Sequence, residues 1–363
     1  MAEMVTVALG ARSYGVKVGT GLLDRLGAEA KELALGKGCA VISDSNVSPL
    51  YGKRAMESLT AAGFRPVEVT VPAGEKSKSL EQVEWICERM IEARLDRKGW
   101  VVALGGGVVG DLAGFVAAIY YRGVPFVQVP TTIVAQVDSA VGGKTGVNGR
   151  TGKNLIGAFH QPRLVLADVD TLGTLPEREF NEGFGEVIKH GAIRDRGLLD
   201  AVAALDRTRM AEMIRRNVEI KARIVEADEH ETTGERALLN FGHTIGHGIE
   251  AAAGYGRLLH GEAISLGLVA ACRLSVEKAG LDPKEAGWVV ELLEQYQLPV
   301  RLPEGIATEA IMEALMADKK FEEGKIRFVL CPRLGKAFVS EGVTVEDVRG
   351  AVEGLSSSLE LTL

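Results

Sequence analysis

Cysteine and aromatic residues are scarce: the 363-residue chain has four cysteines, and only 5% of it is aromatic. Cys39, Cys87, Cys272 and Cys331 stand far apart and no two form a C-x-x-C pair. That argues against a disulfide framework or a cysteine zinc site and fits a reducing cytoplasm. An excess of positive charge is also lacking. Lys+Arg 42 against Asp+Glu 49 leaves a net charge of -7, which disfavours a general nucleic-acid binder. A locally basic pocket for an anion stays open. No long apolar run crosses the sequence, because Val101 to Ile119 is broken by five glycines and Asp111, so no membrane span is expected. Met1 to Gly10 has no basic start followed by a long apolar core, and it reads as a strand, not a signal peptide. No internal repeat is visible.

What is present describes a globular protein. Hydrophobic residues make up 46% and charged residues 25%, enough apolar material for a large core, and the length favours two domains. Forty-four glycines imply many places where backbone approaches something closely.

Two short β-like runs, Val5–Leu9 and Tyr14–Val18, predict an opening hairpin. Strands then alternate with helical stretches: Cys39–Ser43, Val67–Val71, Trp100–Leu104, Phe126–Val129 and Leu164–Ala167. This alternation predicts an α/β domain with a mostly parallel, Rossmann-like sheet, whose post-strand turns bind ligands at one edge. From Glu177 to about Met316 helical periodicity dominates. We therefore expect an α/β domain over residues 1–175 and an all-helical domain over 176–363, with an active site in the cleft between them. A short hairpin-like stretch, Ile326–Leu330 and Lys336–Val339, interrupts the second half.

Gly105, Gly107 and Gly110 satisfy G-x-G-x-x-G after a strand and before a helix, the arrangement that brings backbone N–H groups to a pyrophosphate. The full dinucleotide fingerprint needs an acid about twenty residues on. Val124–Thr132 has none, and the glycines follow the third parallel strand, not the first. A tight turn and a differently wrapped dinucleotide both remain open, with Asp44 a candidate for the adenosine ribose. Gly142-Gly-Lys-Thr145 resembles the end of a P-loop, but Asp138 stands where its first glycine is required.

In the helical half, Arg236, Asn240, His243, His247 and Glu250 fall within roughly an 80° sector at ~100° per residue if the stretch is one helix. Leu238, Phe241, Ile245 and Ile249 take the opposite side. Glycines 242, 246 and 248 are costly there unless something packs close. His243 and His247 have the i, i+4 spacing at which two imidazoles can share a metal, and His260 follows. Glu186, Lys189 and His190 share a helical face, as a carboxylate ligand with a phosphate contact or as an ordinary exposed Glu–Lys pair. Lys221 sits within the apolar row Ile214, Val218, Val225, so it must snorkel or meet an anion in a buried pocket.

Together these residues resemble the 3-dehydroquinate synthases. The resemblance rests on Gly105-Gly-Gly-Val-Val-Gly-Asp-Leu-Ala-Gly-Phe115, Gln128-Val-Pro-Thr-Thr132 and Gln136-Val-Asp-Ser-Ala-Val-Gly-Gly-Lys-Thr145. It continues through Gly152-Lys-Asn-Leu-Ile-Gly-Ala-Phe159, Gly185-Glu-Val-Ile-Lys189, Leu239-Asn-Phe-Gly-His-Thr-Ile-Gly-His247 and His260-Gly-Glu262, spanning residues 5 to 340. It implies NAD and one divalent metal, zinc or cobalt, with Glu186, His243 and His260 as ligands. His247 then becomes a substrate contact or proton relay instead of His243's chelating partner. NAD contacts are implied for Asp44, Asn46, Gly74, Glu75, Lys76, Ser77, Lys78, Gly106, Gly107, Val108, Val109, Gly110 and Asp111. Thr131, Thr132, Lys144, Lys153, Thr171, Leu172, Gly173 and Thr174 complete that set. Substrate contacts are implied for Asp138, Lys144, Asn154, Lys189, Lys221, Arg236, Asn240, His247 and one of Lys319 and Lys320. Arg122 is implied to reach the phosphate held by a neighbouring subunit, hence a homodimer. The segment Asp228–Arg236 is about one residue longer than the common pattern, and Gly173 stands where a polar residue is frequent.

The implied reaction takes 3-deoxy-D-arabino-heptulosonate 7-phosphate to 3-dehydroquinate and phosphate. It runs through transient oxidation by NAD, β-elimination with the phosphate as its own base, reduction, and intramolecular aldol closure. The rival readings are another sugar-phosphate cyclase such as a 2-deoxy-scyllo-inosose synthase, a metal-dependent polyol dehydrogenase, and a non-catalytic nucleotide sensor.

Overall fold

The computed structural model describes residues 2–150, 152–204, 206–254, 256–316 and 326–356. It divides into two compact units, Met1–Leu175 with Met210–Glu226, and Pro176–Arg209 with Ala227–Leu363. Helix Met210–Ala227, which the sequence reading placed in the second domain, thus groups with the first unit.

Alternating apolar residues buried on both sides make the first unit's sheet. The strands are β1 (Glu3–Val7), β2 (Tyr14–Gly19), β3 (Gly38–Asp44), β4 (Arg65–Val71), β5 (Trp100–Gly105), β6 (Phe126–Pro130), β7 (Lys144–Val147), β8 (Ile156–Phe159) and β9 (Leu164–Asp168). Seven of them form one sheet in the order β1-β2-β9-β6-β5-β3-β4; β7 and β8 pair separately. β1 and β2 are antiparallel, as the hairpin reading requires, and the other pairings of the sheet are parallel. Ala40, Ile42, Val101 and Ala103 point to one core, with Leu112 and Val116. Cys39, Val41, Trp100, Val102 and Leu104 point to the other, with Leu26 and Leu59. A strand apolar on both sides is what a parallel sheet covered by helices demands. The helices of this unit are α1 (Leu26–Lys31), α2 (Lys53–Ala61), α3 (Leu80–Glu92) and α4 (Gly107–Ile119). Asp44, Val71, Gly105, Pro130 and Asp168 end the parallel strands, so the segments after them all emerge at one edge of the sheet.

Among the described residues the second unit is helical apart from one hairpin. It contains α5 (Glu177–Arg194) and α6 (Arg196–Ala203); α7 is the helix Met210–Ala227 already named. α8 (His243–Ala253), α9 (His260–Ala279), α10 (Pro283–Gln295), α11 (Thr308–Met316) and α12 (Val345–Gly354) follow. The hairpin is β10 (Ile326–Arg333) with β11 (Lys336–Val343), closed at Gly335, whose φ is +83°. It lies where the alternation of apolar residues marked it, within the otherwise helical part expected for the second half. The stretch Arg236–Glu250 is not one helix. Arg236–Asn240 is a short 3-10 turn, Gly242 adopts a left-handed conformation (φ +77°), and α8 begins at His243. Among the described residues no helix is long and apolar enough to cross a membrane.

At the start of α12, Thr344 and Asp347 form a reciprocal capping box, with Thr344 Oγ1 accepting the Asp347 N–H at 3.2 Å and Asp347 Oδ2 accepting the Thr344 N–H at 2.9 Å. Gly350 lies inside this helix with open space where a Cβ would stand. Gly350→Ala should therefore raise stability by about 0.5–1 kcal/mol, read as a higher midpoint in urea at unchanged slope. A lowered midpoint would mean that the site is not open.

Candidate active site

In the second unit, three ligand-type side chains converge because three helices come into backbone contact. Glu186 lies on α5, fully buried. His243 and His260 are the first residues of α8 and α9. Both imidazole Nε2 atoms stand 3.2 Å from Glu186 Oε1. The three ligand atoms all lie within 4.8 Å of one another. Glycines permit this. A Cβ on Gly267 would overlap the carbonyl oxygen of Gly242 and lie 2.8 Å from the Gly246 nitrogen, and one on Gly246 would lie 3.0 Å from the Ala263 carbonyl oxygen. These contacts bring α8 against α9, and they are the close packing that glycines 242 and 246 required. A Cβ on Gly248 would press on Leu315, 2.7 Å away. A Cβ on Gly261 would overlap the carbonyl oxygen of Glu182, with its carbonyl carbon at 2.7 Å, and that contact brings α9 against α5. The Glu182 carboxylate also accepts the Gly261 N–H at 2.8 Å.

Gly261→Ala should therefore push α9 off α5 and draw His260 away from Glu186. Affinity for a divalent cation would fall by about 10–100-fold, as on loss of an outer-shell support. Zinc titration by equilibrium dialysis reads this directly, and unchanged affinity would mean that the helix contact does not set the site.

The electrostatics fit a cation. Burial opposes ionisation of Glu186, but Lys189 and His243 outweigh it and hold the carboxyl well below its usual range. Lys189 makes an ion pair with Glu186 and is itself buried. The reading of an exposed Glu–Lys pair is thereby excluded. Burial and Lys189 lower the pKa of His243, against the pull of the Glu186 carboxylate. Burial also opposes charge on His260, but the carboxylates of Glu186 and Glu250 raise its pKa to about 10. Glu250 Oε2 stands 3.8 Å from His260 Nδ1, and Phe241 O is 3.2 Å from His243 Nδ1. Each imidazole thus has a partner on its far nitrogen, the arrangement that orients ligating histidines. Two imidazoles and a carboxylate suit zinc or a similar divalent ion. His247 is exposed, and its ring centroid lies 5.3 Å from that of His243 and 5.9 Å from that of His260. It stands beside the trio, outside the ligand set.

Arg236 is buried; its Nη1 donates to Glu229 O at 2.6 Å and its Nε lies 3.8 Å from Glu231 Oε1. Asn240 ends the same 3-10 turn, half-buried. Lys319 and Lys320 lie outside the described residues.

In the first unit, the sheet edge gathers a second polar set. α4 opens on Gly106, which gives its first-turn N–H groups no side-chain cap. They are available to an anion. A Cβ at Gly105 would meet Val109 at 2.7 Å and one at Gly110 would meet Gln128 at 2.9 Å, so the tight-turn requirement holds there too. Lys78, buried, reaches Asp111 Oδ2 at 2.7 Å and Asn154 Oδ1 at 2.5 Å. Asn148 joins this network, donating to Glu75 at 2.8 Å and accepting from the Asn154 N–H at 2.9 Å; Lys153 lies 3.9 Å from Glu75. Nothing in the residue pattern singled out Asn148. Asp44 Oδ1 accepts the N–H groups of Asn46 and Val47 at 2.8 and 3.0 Å, closing an Asx turn. Tyr51 ties down the Thr171–Thr174 segment through the Thr171 carbonyl and the Thr174 hydroxyl. Gln136 Nε2 donates to Pro130 O and Asp168 O, linking the ends of β6 and β9 beside Thr131 and Thr132.

Lys221, on α7, is buried; its Nζ lies 2.6 Å from Asp138 Oδ1 and donates to Asp138 O at 2.5 Å. The ammonium of this buried lysine thus meets the carboxylate of the half-buried Asp138. Lys144 is exposed at the start of β7. Tyr121, Arg122 and Gly123 have φ of +48°, +66° and +120°, a strained turn that holds Arg122 outward.

Residues 68–182 match the family described as 3-dehydroquinate synthase N-terminal, and residues 183–321 match 3-dehydroquinate synthase C-terminal. The 3-dehydroquinate synthase of Desulforamulus reducens (strain ATCC BAA-1160 / DSM 100696 / MI-1) is 45% identical over 351 residues, covering 95% of this chain and 98% of that protein. Among solved structures, a 2-deoxy-scyllo-inosose synthase complexed with carbaglucose-6-phosphate, NAD+ and Co2+ superposes with a TM-score of 0.86 at 25% identity, covering 97% of this chain and 99% of the other. A 2-epi-5-epi-valiolone synthase from Streptomyces hygroscopicus subsp. jinggangensis 5008, with NAD+ and Zn2+ bound, superposes with a TM-score of 0.85 at 29% identity, covering 96% and 98%. From these matches over nearly its whole length, the chain belongs to the 3-dehydroquinate synthase family.

Proposed function

We propose that this chain is a 3-dehydroquinate synthase of the shikimate pathway. It converts 3-deoxy-D-arabino-heptulosonate 7-phosphate to 3-dehydroquinate and phosphate, using NAD and one divalent cation, zinc or cobalt. The observation that carries this reading is the convergence of Glu186, His243 and His260 in a chain 45% identical to a 3-dehydroquinate synthase. When bound, the cation supplies Lewis acidity and NAD a reversible hydride acceptor, so the net reaction is redox-neutral.

Glu186, His243 and His260 hold the cation, and Lys189 keeps Glu186 ionised. Arg236 offers its planar fork to a carboxylate, and Asn240 adds an amide donor. Lys221, Lys144, Asn154 and one of Lys319 and Lys320 bind and orient the anionic substrate, with Asp138 fixing the Lys221 ammonium. His247, exposed beside the buried His243 and the half-buried His260, holds or moves a proton. The nucleotide is held at the carboxyl edge of the sheet, by Asp44, Asn46, Gly74–Lys78, Gly106–Asp111, Thr131, Thr132, Lys144, Lys153 and Thr171–Thr174. The N-terminus of α4 takes the pyrophosphate. A cytoplasmic homodimer, in which Arg122 serves the partner's substrate, belongs to the same reading.

The test is incubation with the heptulosonate phosphate, NAD+ and Zn2+ or Co2+. One phosphate should appear per dehydroquinate formed, with no net NADH. NADH accumulating from a simple polyol without phosphate release would instead indicate a dehydrogenase. Phosphate release from a hexose phosphate, with none from the heptulosonate, would indicate another cyclase.

A further inference from the structure

We propose that Asp228 is a positioning residue, whose carboxylate holds the segment Glu229–Arg236 in the one conformation that presents Arg236. This rests on the substrate-binding role given to Arg236 above.

Asp228 follows directly on the last turn of α7 and is itself buried. Its Oδ1 accepts the N–H groups of Thr232 and Thr233 at 2.7 and 3.1 Å. Its Oδ2 accepts those of Gly234 and Arg236 at 3.0 and 3.2 Å. Four backbone donors on two oxygens use the full accepting capacity of a carboxylate. Burial raises the Asp228 pKa, but the N–H bonds from Thr233, Arg236 and Thr232 outweigh it and bring the pKa to about 2, so the acceptor stays charged at any working pH.

The held segment is also the one that runs about one residue beyond the common pattern, and its backbone is unusual. Glu231 has φ +59° and Gly234 has φ +91°. A non-glycine residue in the left-handed region persists where its surroundings determine it, and Asp228 supplies that determination. Arg236 depends on the segment twice. Its own N–H is one of the four donors, and the groups facing its guanidinium, Glu229 O and Glu231 Oε1, lie on the same held loop. Fixing the loop therefore fixes both the arginine and its partners.

An isosteric amide cannot take over. Asparagine offers one oxygen and one NH2, so in either orientation two backbone N–H groups would face a donor. Glu231, Thr232 and Thr233 are exposed, so water can reach the released donors and the chain should still fold.

The experiment uses the full chain with NAD+ and Zn2+. Asp228→Asn should raise KM for the heptulosonate phosphate by about tenfold, the effect of losing one charge-assisted contact, while bound zinc stays at the parent level. In Arg236→Ala, adding Asp228→Asn should change KM less than twofold, because a residue acting through Arg236 has nothing further to lose. A readout without substrate is limited trypsin digestion followed by mass spectrometry. The parent should resist cleavage after Arg236, and Asp228→Asn should gain it. If Asp228→Asn does not fold, Asp228→Ala, which leaves the N–H groups to water, takes its place in both measurements. Unchanged KM, additive effects in the double variant, or no gained cleavage would overturn the proposal. Should the parent fail to turn over the heptulosonate phosphate at all, the assigned function falls, and the trypsin result alone decides whether Asp228 holds the loop.

Discussion

His260→Ala is expected to release the divalent cation and abolish turnover together. The imidazole is one of three ligand atoms gathered within 4.8 Å, and Glu186 sits fully buried between the two histidines. Loss of an outer-shell partner typically weakens a metal by 10–100-fold, so removal of a ligand itself should exceed about 100-fold. The alanine also takes one partner from the buried Glu186 carboxylate, whose ion pairs with His243 and Lys189 stay. Metal content measured by elemental analysis after dialysis should drop well below one ion per chain, and the phosphate-release assay should fall to background. A variant that keeps stoichiometric zinc would remove His260 from the ligand set, whatever its activity.

Lys221→Ala is expected to do the reverse, impairing turnover while leaving the cation in place. Lys221 is not one of the three candidate ligands, Glu186, His243 and His260. Loss of one preorganised charged donor commonly costs about 10²–10³ in kcat. Lys221→Met separates the charge from the packing, since methionine keeps most of the apolar stem in a helical row shared with the buried Ile214, Val218 and Val225. Both variants should be slow at parent-level zinc. Substantial activity in Lys221→Met would reduce the residue to a packing role around Asp138.

Much of the fold was legible because hydrophobic period and strand ends are local signals. Each strand of the main sheet begins and ends within two residues of the run expected for it. The odd lysine in the apolar row of α7 likewise announced a buried partner, though only the structure identified it as Asp138. The helical face drawn through Arg236–Glu250 failed because Gly242 turns left-handed, a backbone choice that periodicity does not register. For the same reason the i, i+4 histidine pair was a misleading guide to the ligands. His260 reaches Glu186 through a contact of three helices, and spacing within one helix carries no information about that contact. Asp228 and Asn148 passed unmarked for a related cause, and Glu250 was marked only as part of the polar face, not as the partner of His260. Their partners are backbone groups, or side chains brought near only by the fold, and an isolated Asp, Asn or Glu looks the same in sequence whatever it will meet.

The glycine contacts at Gly242, Gly246, Gly261 and Gly267 set the spacing of α5, α8 and α9 through main-chain atoms. A protein engineer can treat them as a rigid chassis. On the substrate-binding roles proposed for Arg236, Asn240 and His247, selectivity for a different phosphorylated sugar can then be sought at those residues without retuning the cation trio, provided those four glycines are left alone. Random libraries that alter them should instead yield mostly misassembled clones.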